Sequence, residues 1–206
     1  MALPPASPNR QLKHQRCFDV QVFARGDGLW EVDARLTDVK TRDLATAGGV
    51  RPAGVPLHEM LLRLVVDTEL TIHESGAETY WMPYPGQCND HGDAYGRLVG
   101  LNLLRGFRAA LKERLGGVLG CTHITELAQV LPTAVIQAFA GEVIDTREGG
   151  QDGTPPFQID RCHALRRDGE AVRQFYPRWY RPSQGRPAHN AAPAADPFSP
   201  DPRPAR

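Results

Sequence analysis

The sequence lacks any run of apolar residues long enough to cross a bilayer, which takes about 18 consecutive positions. Its first sixteen residues, "MALPPASPNRQLKHQR", carry two adjacent prolines where a secretory signal peptide needs an apolar stretch. Membrane-spanning and secreted classes are therefore disfavoured. We expect a soluble cytoplasmic chain with no membrane partner.

The sequence also lacks net charge. Its 24 Lys and Arg residues equal its 24 Asp and Glu residues, which gives a formal net charge of zero. No global field then draws the chain towards nucleic acid or an anionic surface. We expect no nucleic-acid partner, and a protein partner or a second copy of the chain stays open.

Cysteine is scarce, and no pair has the C-x-x-C spacing of a strong metal or redox motif. In a cytoplasmic chain, cysteines are more often free thiols, metal ligands or small buried residues than disulfides. The four cysteines are Cys17, Cys88, Cys121 and Cys162.

The chain has 206 residues, 41% of them apolar, which is enough for one domain with a core but short for two. Polar and Pro-bearing residues at both ends cannot bury enough apolar area to offset their ordering entropy. We predict a flexible arm over residues 1–15, one domain over 16–181 and a disordered Pro-rich tail over 182–206.

Apolar and polar residues alternate with a period of two on both sides of a Gly-Asp-Gly turn at residues 26–28, which predicts a β-hairpin. A second alternating pair covers residues 62–73, after a Gly- and Pro-rich loop over 40–57. A four-stranded, mostly antiparallel sheet is the simplest arrangement of these segments.

Beyond about Tyr95 the apolar period changes to that of a helix, which ends at the glycine pair 116–117. A second helix runs to Phe139, with Thr122 as its N-cap and Pro132 as a kink or break. An Asp-Gly pair at 168–169 predicts a late hairpin. The fold class is α+β, with an antiparallel sheet and two main helices packed on one face.

Potential metal ligands lie at the junctions between these elements. Two cysteines and one or two histidines suit Zn²⁺, or iron if redox chemistry is involved. A competing interpretation makes the cysteines buried apolar residues and the histidines hydrogen-bonded core or cap residues. The predicted set is His58, Cys88, Cys121 and His123, with His91 as the other choice of fourth ligand.

Two other functions stay open. Cys121 opens a predicted helix, whose unpaired N–H groups favour a thiolate, so it is the candidate nucleophile of an enzyme acting on a small acyl or thioester substrate. His58 or His91 would then be its base. Alternatively, the pocket is structural and the chain is an interaction module. The pair Cys162-His163 joins the pocket only if the C-terminal segment folds back.

The order of elements over residues 55–140 resembles the iron–sulfur cluster scaffold proteins of the NifU/IscU type. The segments that carry the likeness are "PLHEMLLRLVVD", "GQCNDHGDAYGRL" and "GCTHITELAQ", which stand where that family has its three cysteines. His58 replaces the first of them. The resemblance implies a three-ligand pocket and an assembly or accessory role in metabolism.

A second resemblance covers most of residues 15–181. The segments "DGLWEVDARLTDVKT", "GVPLHEM", "GCTHITEL" and "CHALRRDGE" look like the bacterial domain-of-unknown-function family 2889. That family implies a bacterial chain and supplies no function. The ligand-type residues at the element junctions thus remain the basis for function, and they favour metal binding through a Cys/His pocket.

Overall fold

A computed structural model describes residues 3–90, 92–150 and 152–183 of the chain. These residues form two compact units, one ending at Phe139 and the other beginning at Ala140. The first strand begins at His14, within the segment predicted as the N-terminal arm. Residues 184–206 of the predicted tail lie outside the described part of the chain.

The first unit is built on a four-stranded antiparallel sheet, as predicted. Two hairpins supply its strands, and the second strand of the first hairpin pairs with the first strand of the second. The bounds are β1 His14–Ala24, β2 Trp30–Lys40, β5 Pro56–Val66 and β6 Ile72–Trp81. The spatial order is β1-β2-β5-β6.

The segment between the two hairpins is not a plain loop. It contains a small antiparallel pair, β3 over Leu44–Thr46 and β4 over Gly49–Arg51. Gly49, the first residue of β4, has a φ of 116°, which would strain any other residue.

The inner face of the sheet follows the predicted alternation. Along β2 every second residue from Trp30 to Asp38 is buried, and along β5 the same holds from His58 to Val66. Because successive strand residues point to opposite faces, each strand contributes one apolar row to the core. The last position of one row is an aspartate, and the first position of the other is a histidine.

Two main α-helices accompany this sheet. α1 covers Phe107–Leu115, and α2 covers Thr122–Phe139. α2 packs on β1, β2 and β5, and also contacts α1. A kink or a break was predicted at Pro132, and the break does not occur, because α2 continues through this residue. The first predicted helix is shorter than expected, because its first part is a 3₁₀ helix over Gly92–Leu98.

The second unit contains α3 over Glu170–Phe175 and a 3₁₀ turn over Pro177–Trp179. The late hairpin predicted around Asp168 is wrong, because Gly169 has extended dihedrals and precedes a helix. The Asp-Gly pair is a turn signal, but here it opens a helix. Among the described residues, no helix has the length and apolarity needed to traverse a bilayer.

Candidate metal centre

Strand register places three polar side chains in a row at one end of the sheet. Asp38 on β2 pairs with Arg16 on β1 and with His58 on β5. Directly paired residues of neighbouring strands project from the same face. The row therefore lies on the inner face, where the apolar rows of β2 and β5 end.

Asp38 is the centre of this row. Its carboxylate is almost fully buried, with 2% of the side chain exposed. Arg16 grips it with two hydrogen bonds, from Nε to Oδ1 at 2.8 Å and from Nη2 to Oδ2 at 2.7 Å. His58 Nδ1 lies 2.9 Å from Oδ2, and His14 Nε2 lies 3.1 Å from Oδ1. Both carboxylate oxygens thus have two partners each.

These contacts fix the ionisation of Asp38. Burial alone would raise the pKa of its carboxyl, but hydrogen bonds from Arg16 and His58 lower it below the ordinary value of 3.8. An ionised carboxylate only accepts hydrogen bonds, so His58 Nδ1 must be the donor. His58 then presents a lone pair on Nε2.

The first turn of α2 brings a second histidine onto the row. His123 stacks on His58, with ring centroids 3.9 Å apart and a tilt of 32° between the planes. Burial lowers the pKa of both imidazoles below 6.5. For His123, repulsion from the protonated form of His58 and from Arg16 lowers the pKa further. Both rings are therefore neutral near pH 7, the form that binds a metal ion.

The start of α2 is held in place by Tyr95. Its hydroxyl donates to the Cys121 carbonyl at 2.8 Å and accepts from the Cys121 amide at 3.0 Å. Thr125 N donates to the Cys121 carbonyl, so Cys121, and not Thr122, occupies the N-cap position. A Cβ on Gly120 would lie 2.9 Å from the Leu115 carbonyl oxygen, so this close approach requires glycine.

An ion pair also ties α2 to the edge strand. Arg16 Nη1 lies 2.6 Å from Glu126 Oε2, one turn after His123. Arg16 therefore bridges a buried carboxylate on the sheet and a half-exposed one on the helix. This bridge links the beginning of α2 to the polar row.

Three of these side chains could hold a metal ion. Asp38, His58 and His123 each offer one ligand atom, and these atoms all lie within 4.8 Å of one another. Two imidazoles and a carboxylate suit Zn²⁺ and also non-haem Fe²⁺. The chemistry that the arrangement allows is therefore coordination of a divalent transition metal.

Two of the four ligands predicted from the sequence, His58 and His123, belong to this group. Cys121 lies beside it, with Sγ 3.9 Å from His123 Nδ1. Cys88 lies in the turn after β6, and in the described part of the chain it joins no such group of three ligand-type side chains. His91, the other predicted fourth ligand, lies outside the described residues.

Sequence reasoning overlooked Asp38 and Arg16. One signal for Asp38 was available, since it occupies the next inward position after Trp30, Val32, Ala34 and Leu36. A charged residue in phase with a buried row must find a partner. Arg16 had no comparable signal, because its role depends on the pairing of β1 with β2. Cys17 and Cys162 are exposed.

Comparison with known proteins adds a family and no function. The model of the family described as "Protein of unknown function (DUF2889)" matches residues 14–137, which include the whole polar row and the start of α2. Neither the curated proteins nor the solved structures contain a match. With more than half of its length matched, the chain belongs to the DUF2889 family.

Proposed function

We propose that this chain binds a transition metal ion, Zn²⁺ or Fe²⁺, through His58 and His123, and that it serves an accessory role in metal-dependent metabolism. The observation that carries the proposal is the convergence of two neutral imidazoles and a buried carboxylate within 4.8 Å. These groups come from two strands and a helix, so the fold itself assembles them.

Asp38 orients the site and does not bind the metal directly. Its two oxygens already accept four contacts, two of them from the Arg16 fork. A carboxylate that receives the Nδ1 hydrogen of a metal-binding histidine fixes the ring and raises its basicity. His58 Nε2 is then the coordinating atom.

The sulfur ligands predicted from the sequence belong to the same proposal. Cys121 adjoins His123, and its sulfur is the candidate for a further ligand. Cys88 stays a predicted ligand. Exchanging each cysteine for serine separately shows whether either contributes to binding.

The test is metal analysis of protein purified without an affinity tag, followed by Zn²⁺ titration against a chromophoric chelator. His58→Ala and His123→Ala should each lose stoichiometric binding. Asp38→Asn should keep binding with an affinity about 10–100-fold weaker, as expected for a carboxylate that orients a ligand.

The matched control is His73→Ala. His73 also contacts an aspartate, with Nε2 2.7 Å from Asp67 Oδ2, but its side chain is 49% exposed. This variant should bind like the parent. Unchanged Zn²⁺ affinity in both His58→Ala and His123→Ala would refute the proposal.

One observation favours a second function, a cysteine-dependent enzyme acting on a small acyl or thioester substrate. Cys121 Sγ, the His123 ring, the His58 ring and the Asp38 carboxylate follow one another in contact. A nucleophile, a base and an orienting carboxylate are the groups that such catalysis needs.

Alkylation separates the two functions. If Cys121 is a nucleophile, metal-free protein should react quickly with iodoacetamide near neutral pH, and His123→Ala should slow the reaction. If Cys121 is a ligand, the reaction should be slow with metal bound and faster after a chelator is added. Cys121→Ser identifies the labelled residue in both cases.

A further inference from the structure

The side-chain contacts of Cys121 point to a second kind of metal chemistry. Its sulfur lies 3.7 Å from the Met60 sulfur and 3.9 Å from His123 Nδ1. The thiol thus contacts both a thioether and an imidazole, where the inner row of β5 faces the start of α2.

These separations suit one shared ion. With metal–sulfur bonds of about 2.3 Å and metal–nitrogen bonds of about 2.0–2.1 Å, ligand atoms in trigonal or tetrahedral sites lie roughly 3.5–4.0 Å apart. Both measured separations fall in that range. The Cys121 sulfur therefore lies at the spacing of a shared ion from each of its two neighbours.

The donor set selects for a soft ion. Thiolate and thioether ligands favour Cu(I), whereas carboxylates favour harder ions and Zn²⁺ is bound by thiolate, imidazole and carboxylate groups. Met60 is 1% exposed, so its thioether is held within the core and shielded from water. Tyr95 fixes the Cys121 backbone through both its amide and its carbonyl.

We infer that Cys121, Met60 and His123 form a binding site for Cu(I). The pocket then has two sides that share His123. One is a nitrogen side with His58, which Asp38 orients, and the other is a sulfur side with Cys121 and Met60. Binding at the sulfur side releases the thiol proton and involves no change of oxidation state. The inference rests on the proposed function only for the metal-binding role of His123.

The test compares two ions across three variants under anaerobic conditions. The exposed cysteines Cys17 and Cys162 are replaced by serine throughout, so that they do not bind Cu(I). Cu(I) is titrated in competition with bathocuproine disulfonate, and Zn²⁺ is titrated separately. The variants are Met60→Leu, His58→Ala and His123→Ala, with Met82→Leu as the matched methionine control.

Met60→Leu should weaken Cu(I) binding by about tenfold or more, because a soft ligand is lost. Its Zn²⁺ affinity should not change, and the exchange of Met for Leu conserves volume in the core. His58→Ala should weaken Zn²⁺ binding and leave the Cu(I) affinity unchanged. His123→Ala should weaken the binding of both ions. X-ray absorption should count two sulfur neighbours of copper in the parent and one in Met60→Leu.

Equal Cu(I) affinity in Met60→Leu, Met82→Leu and the parent would overturn the inference, and so would a single sulfur neighbour in the parent. Neither result affects the proposed function, which fails only if His58→Ala and His123→Ala both keep the parent's Zn²⁺ affinity. Loss of Cu(I) binding in Cys121→Ser would support the sulfur site independently, whatever that variant does to the Zn²⁺ affinity.

Discussion

The molecule contains two aspartate–histidine pairs that differ mainly in their surroundings. The pair Asp38–His58 spans β2 and β5 inside the protein, at 2.9 Å. The pair Asp67–His73 spans the turn between β5 and β6, at 2.7 Å. In the first pair the side chains are 2% and 11% exposed, and in the second 23% and 49%.

The difference shows that the contact itself does not make a site. Near the surface, water competes for both groups, and such pairs contribute little to stability. In the interior, the carboxylate must be compensated, and Arg16 supplies the charge while His58 and His14 supply further contacts. Burial thereby produces a positioned, neutral imidazole next to a second one.

The largest expected effect is on the free energy of unfolding, when the aspartate of each pair is replaced by asparagine. Asp38→Asn leaves the Arg16 guanidinium without its buried counter-charge and should lower the free energy of unfolding by about 2–3 kcal/mol, less than for a fully enclosed pair because Arg16 is partly exposed. Asp67→Asn should cost about 0–1 kcal/mol. Urea unfolding with a chelator present measures both, and equal losses would contradict the contrast.

A smaller effect should follow from changing the cation. Arg16→Lys removes the paired hydrogen bonds to Asp38 and the contact to Glu126. This change should lower the free energy of unfolding by about 1–2 kcal/mol. The control is Arg63→Lys, which removes an equally short fork to Asp33, at 2.6 and 2.7 Å, on a side chain that is 59% exposed.

Because the Arg63 side chain is exposed, its two hydrogen bonds to Asp33 should contribute about 0.5 kcal/mol or less to the free energy of unfolding. The same urea assay serves for both lysine variants. A loss in Arg63→Lys as large as that in Arg16→Lys would show that fork geometry, and not burial, decides the contribution.

The pH dependence of stability offers a third comparison. Burial lowers the pKa of His58 and His123 below 6.5 in the folded state, so the unfolded chain binds more protons between that folded pKa and about 6.5. Metal-free protein should therefore lose stability as the pH falls below about 6.5, until the folded pKa is reached.

Replacing both histidines, as in His58→Gln with His123→Gln, should flatten this acid slope, whereas His73→Gln should keep it. The scan should stop above pH 5, because the loss of the ionised Asp38 carboxylate follows only below its unfolded pKa of about 3.8. An unchanged slope in the double variant would assign the acid loss to other groups.

The smallest effect leaves the fold intact and concerns access to reagent. Diethyl pyrocarbonate acylates neutral imidazoles, and His73 should react well before His58, because 49% of one side chain and 11% of the other are exposed. Peptide mapping at short times reads out each residue. Bound Zn²⁺ should slow the acylation of His58 and His123 further and leave the acylation rate of His73 unchanged.

Much of the first unit follows from local sequence. Period-two alternation in residues 18–36 and 62–73 predicts strands, because each strand residue faces the side opposite to its neighbour. The helical period up to Leu115 and on to Phe139 likewise predicts α1 and α2. Local signals misled where one motif serves two structures, as with the Asp168-Gly169 turn, which precedes α3 and not a strand.

The sequence pattern predicts some features of the candidate ligands. His58 begins the inward row of β5, Asp38 extends the inward row of β2, and His123 lies in the first turn of a predicted helix. Such phase arguments say that a side chain points inward. They do not say which side chain it meets there.

Only the tertiary structure decided which groups meet. Arg16 and Asp38 are 22 positions apart, Asp38 and His58 are 20 apart, and Arg16 and Glu126 are 110 apart. Side-chain period is a local property of each strand, whereas register and helix placement depend on packing between distant segments. The sequence by itself therefore determined the four main strands, the two main helices and their inward faces, and packing determined that two histidines, an aspartate and a thiol lie together.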